Sequence, residues 1–250
     1  MSNRVRVLTA TLLIAVPVLF MLFYVLLTMT FDYPGILREP AGEVLRRFAA
    51  GGPSLIALWY GFALTPALFI PAAVLLRRVF PDATPLLDLA TPLAVLAGLV
   101  QVLGLVRWPF LVPELARTFL DPAASEATQA ATLAVFSAFH QYAGVAIGEH
   151  LGYLFTGAWT LVIAGAMLTS LLFRPWLGWV GIVAAIGVLI GMLEPAGVAI
   201  AGTINALAYI VWSLWLVGVG VFLLRARLDE VSDPATASTT SGPVRVGARL

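Results

Sequence analysis

Residues 130–149 read AATLAVFSAFHQYAGVAIGE. A membrane helix needs about 20 apolar residues, so whether this run spans decides between a six-span and a seven-span chain. Six cleaner apolar stretches surround it, at 7–30, 55–77, 86–108, 150–173, 176–193 and 203–224. Arginine placement arbitrates, because cytoplasmic loops carry the excess of positive charge. Six spans with the N-terminus in the cytoplasm put Arg4, Arg6, Arg77, Arg78, Arg174, Arg225, Arg227, Arg245 and Arg249 inside. Arg38, Arg46, Arg47, Arg107 and Arg117 then lie outside, nine against five. A seventh span would move the five from Arg174 onward outside and leave four against ten. The sequence therefore predicts an all-α integral membrane protein of the cell membrane, a six-span helical bundle with both termini cytoplasmic. Residues 122–148 become a non-spanning or re-entrant helix before the fourth span, on the outer side.

Composition agrees. Of the 250 residues, 61% are hydrophobic and 11% charged, against roughly 25% charged in soluble domains. A net charge of +1 gives no signal for nucleic acid. The absence of cysteine excludes disulfides, thiolate metal sites and thiol nucleophiles. Arg4 and Arg6 before the apolar run suggest a signal peptide, but the run exceeds the 7–15 residues of an h-region and lacks a small-residue cleavage site. It reads as a retained signal-anchor helix. Residues 1–228 form one polytopic domain, and 229–250, rich in Ser, Thr, Ala and Pro, form a disordered cytoplasmic tail.

The first loop is amphipathic. Val44, Leu45 and Phe48 share one helical face, Gly51-Gly52 supplies a stop, and Arg46 and Arg47 point to headgroups or water. Pro109 and Pro113 predict an extended or turning exit from the third span. Asp121-Pro122 reads as the N-cap of the next helix, with Glu126 near its positive end.

At about 100° per residue, Ser137, His140, Gln141, Gly144 and Gly148 fall on one stripe. Such a stripe is either a polar wall facing a cavity or ligand or a close helix seam through Gly144, Gly148 and Gly152. The seam is the commoner outcome. Glu149 and His150 diverge on a continuous helix and share a direction only if it breaks at Gly148. The six-span topology brings Arg107, Glu114, Glu149, His150 and Glu194 to the outer membrane level. An Arg107–Glu149 or Arg107–Glu114 ion pair that locks helices competes there with a functional site. His140 and His150 lie ten residues apart without metal-ligand spacing, so no metal and no cofactor is expected. Asn205 and Gln101 read as interhelical hydrogen-bond partners.

The segments YPGILREPAGEVLRRFAAGG, RWPFLVPELA and HQYAGVAIGEHLGYLFTGAW resemble a bacterial family of multi-pass membrane proteins, domain-of-unknown-function family 4386. The elements carrying the resemblance are the loop from Tyr33-Pro34 to Gly52, Arg107-Trp108-Pro109 and Gly148-Glu149. It implies a bacterial integral membrane protein and brings no activity or site residue.

The residues themselves point to binding of a lipid, a small apolar ligand or a membrane protein partner near the outer leaflet, through Arg107, Ser137, Gln141 and Glu149. The alternatives are an intramembrane hydrolase or transferase using Glu149, His150, His140 and Glu114, or a solute facilitator.

Overall fold

The computed structural model describes residues 3–80 and 84–225. The expected tail at 229–250 lies outside them. Every regular element among the described residues is helical. Six helical runs are long and apolar enough to cross a membrane: Asn3–Phe31, Ala41–Arg77, Pro85–Leu120, Glu126–Thr169, Pro175–Ala196 and Ala201–Arg225. The first, α1, is Asn3–Phe31, and α2 is Ala41–Arg77. The third run comprises α3 (Pro85–Asp88), α4 (Ala90–Leu105), α5 (Arg107–Phe110) and α6 (Val112–Leu120). The fourth comprises α7 (Glu126–Phe139), a π-helix (His140–Leu151) and α8 (Gly152–Thr169). After these come α9 (Pro175–Ile190) and α10 (Ala201–Arg225).

The spans form a closed ring. Neighbours pack in chain order from α1 through α2, α4, α8 and α9 to α10, and α10 returns against α1. Glycine permits the close seams. A Cβ added at Gly98 would lie 2.7 Å from the Pro66 carbonyl oxygen, and at Gly178 or Gly220 it would lie 2.8 Å from the oxygen of Ala164 or Ala10. Hydrocarbon offers no hydrophobic drive between helices, so such backbone approach is how membrane helices gain packing energy. Hydrogen bonds add to it: the Trp212 indole donates to Thr160 Oγ1 at 2.8 Å and Asn205 Nδ2 to the Val188 carbonyl at 2.8 Å.

Two apolar cores divide the bundle along its length. One surrounds Trp159, Trp215, Phe69 and Leu13 between the spans. The other surrounds Trp59, Trp108, Phe31 and Phe48 at the end that carries the first loop. The second exists because several helices outrun a bilayer. At about 1.5 Å per residue, 44 residues from Glu126 to Thr169 reach on the order of 60 Å, against about 30 Å of hydrocarbon.

The helix expected before the fourth span is present but joins that span without a loop. There is no break at Gly148, because the chain widens into a π-helix there and stays helical. Its start also differs. Ser125, not Asp121, is the N-cap, its hydroxyl accepting the Thr128 amide at 3.2 Å. Asp121 ends α6 and closes the turn through the Ala123 amide at 2.8 Å. The exit from the third span is the turning alternative, not the extended one: turns at Val106 and Leu111 set off α5 and α6, and Pro113 sits in the first turn of α6, where a missing N–H costs nothing. Gly52 supplies the expected stop: at φ +58° and ψ −155° it leaves the helical path and separates the amphipathic helix that begins at Ala41 from the span that follows within α2. The amphipathic face of the first loop is as expected, with Val44, Leu45 and Phe48 buried and Arg46 and Arg47 outward. That face packs on Trp108 and its neighbours.

Candidate functional site: a buried arginine beside a polar cavity

The third and fourth runs meet residue against residue. Gly152 packs over Gln101, Gly148 over the Gly104 Cα, and Gly144 under the guanidinium of Arg107. Positions three apart on one helix thus meet positions four apart on the other. Ridges of these two spacings interdigitate when helices pack at small angles. The π-helix sustains the match, because a wider turn rises less per residue and brings four residues to the pitch of three.

Arg107 follows the bend at Val106 and is 9% exposed. One terminal nitrogen donates to the Gly104 carbonyl, an orphan acceptor at the end of α4. The other lies 3.5 Å from His140 Nδ1. The cation also lies 5.3 Å from the centre of the Trp108 ring, which stacks on Trp59 at 4.3 Å. Arginine can only donate, so His140 Nδ1 accepts and the imidazole carries its proton on Nε2. Among the described residues Arg107 forms no direct ion pair. Glu149 acts on it only across a longer distance, and Glu114 pairs with Arg117 on the surface. Neither helix-locking pair weighed from the sequence forms.

A cavity of about 290 Å³ adjoins this centre. Leu37, Glu39, Ala41 and Val44 make one wall; Trp108, Phe136, Ser137, His140 and Gln141 make the other. The volume is at the low end of ligand pockets, roughly 300–1,000 Å³, suited to a head group or one narrow chain.

The polar stripe therefore serves both of its readings in succession along one helix. Ser137, His140 and Gln141 line the cavity, and Gly144, Gly148 and Gly152 form the seam. Glu149 does not line the cavity but lies within electrostatic reach of Arg107, Tyr33, Tyr153, Tyr209 and Glu194. Glu114 stands apart with Arg117, and among the described residues His150 makes no hydrogen bond with Arg107 or His140. No group of three or more His, Cys, Asp or Glu converges among the described residues.

Sequence reasoning missed Glu39, Trp108 and Tyr33. Glu39 and Trp108 enter the site because the first loop folds back over the third span, which no local pattern announces. Tyr33 packs 5.3 Å from Trp59. Burial first, and the charge of Glu149 second, push its phenol above the ordinary range, so it is a neutral donor at physiological pH.

A ring of six apolar span-length helices, closed by glycine seams, defines a multi-pass α-helical membrane protein. The chain belongs to the family described as a domain of unknown function (DUF4386), whose model matches residues 8–225. No curated protein and no solved structure matches it.

Proposed function

We propose that this protein binds an amphiphilic ligand, an apolar body bearing an anionic group, at the cavity beside Arg107, and acts without covalent chemistry. The observation that carries this reading is the buried guanidinium without a direct carboxylate partner among the described residues. A buried cation is costly to leave uncompensated; Arg107 does not itself line the cavity, so its charge reaches an incoming anion through His140, whose Nδ1 lies 3.5 Å from the guanidinium. Ser137, Gln141 and His140 supply further donors at the cavity wall. The dispersal of Glu114 and His150 gives the hydrolase or transferase alternative no support.

The Arg count, nine against five, supports cytoplasmic termini and, with them, a cavity at the outer leaflet of a cell membrane. The cysteine-free chain makes both readings easy to test. Arg117→Cys should react with an impermeant maleimide in whole cells and Leu171→Cys should not; the reverse pattern would invert the topology. For binding, the purified protein in detergent is titrated with a single-chain anionic lipid, lyso-phosphatidylglycerol, and followed by native mass spectrometry. Gln141→Ala and Arg107→Gln should each weaken binding. Affinities equal to wild type in both variants would remove the site.

A further inference from the structure

The cavity has two electrical poles. At one wall His140 passes on the positive character of Arg107, since an imidazole accepting from a guanidinium is polarised to donate through Nε2. Nε2 has no partner among the described residues, and Ser137 and Gln141 flank it. At the other wall stands Glu39, exposed and in no ion pair among the described residues. Arg47, a cation within its electrostatic reach, is committed elsewhere, with Nε 2.8 Å from Glu43 and a terminal nitrogen 3.8 Å from Asp32. A ligand carrying only negative charge would be drawn to the first pole and repelled by the second. A zwitterion satisfies both.

The geometry points to a zwitterionic head group as the occupant, with its anionic group at His140, Ser137 and Gln141 and its ammonium at Glu39. Phosphoethanolamine, as a lipid head or as a free glycerophosphodiester, has this chemistry. The inference rests on the anion-binding reading above and adds the second pole to it. The cavity volume agrees, being head-group sized.

The test compares lyso-phosphatidylethanolamine, lyso-phosphatidylglycerol and soluble glycerophosphoethanolamine against the full-length protein by native mass spectrometry at fixed ionic strength. Wild type should prefer the ethanolamine lipid over the glycerol lipid by about fivefold, the scale of one exposed charge pair. Glu39→Gln should erase that preference, and Gln141→Ala should weaken both lipids while keeping it. Soluble glycerophosphoethanolamine binding as tightly as its lipid would assign recognition to the head alone; much weaker binding would assign it to a lipid. In either case its affinity should fall in Glu39→Gln. Equal affinity of the two lipids for wild type, or a preference that survives Glu39→Gln, overturns the second pole and leaves the anion site standing. Binding of none of the three overturns both.

Discussion

Gly104 and Gly148 face each other with no side chain between them: a Cβ on Gly104 would lie 2.5 Å from the Gly148 Cα, and one on Gly148 would lie 3.0 Å from the Gly104 Cα. This contact holds Arg107 and the cavity wall in register. Gly104→Ala should therefore destabilise the protein by about 1–3 kcal/mol, the usual cost of overpacking, and Gly148→Ala by less. Gly165→Ala and Gly218→Ala, where an added methyl meets nothing within 4 Å, are the controls. Thermal unfolding in detergent, followed by tryptophan fluorescence, should separate the pairs. Equal melting temperatures for Gly104→Ala and Gly165→Ala would show that the seam can relax.

Arg107→Lys should not substitute for arginine. A lysine has a point charge and no planar fork, so it cannot reach the Gly104 carbonyl and His140 in the same geometry. Ligand affinity should fall about tenfold or more, equivalent to 1.4 kcal/mol or more. Arg107→Lys and His140→Ala should also be non-additive, as residues in direct contact are. Strict additivity in that double-mutant cycle would mean that His140 binds independently of Arg107.

Asn205→Ala should lower stability by about 0.6 kcal/mol and at most about 1.7, the range measured for interhelical hydrogen bonds in membranes. It removes the donor to the Val188 carbonyl and should leave ligand affinity unchanged. A change in affinity would show that the α9–α10 seam communicates with the cavity.

Glu114→Gln should alter neither property. Its partner Arg117 is 75% exposed and Glu114 itself 60%, and surface pairs contribute about 1 kcal/mol or less. Loss of binding in this variant would place Glu114 at a site that the fold does not suggest.

The spans were legible because hydrocarbon imposes a length and a composition that survive in the bare sequence. The stripe from Ser137 to Gly148 was legible too, since polar and small residues at helical spacing stand out against Leu and Val. What was not legible follows from geometry that side-chain identity does not encode. Nothing in HQYAGVAIGEHL distinguishes a helix of 3.6 residues per turn from a wider one, so the continuity of Glu126–Thr169 was hidden. The partners of Arg107 were hidden as well. Matching charges by sign leads to Glu114 or Glu149, whereas the guanidinium rests on a backbone carbonyl and a neutral imidazole. Glu39 became visible only when the first loop was seen lying across the third span.

The closed ring of spans bears on how the protein is made. The partner that covers one flank of α1 is α10, which leaves the ribosome after the other five described spans. The Gly220–Ala10 seam therefore stays open to lipid while every intervening helix is inserted. A chain interrupted anywhere before Ala201 leaves the bundle unsealed along its whole length, a lesion that membrane quality control can recognise by the bare face of the first helix.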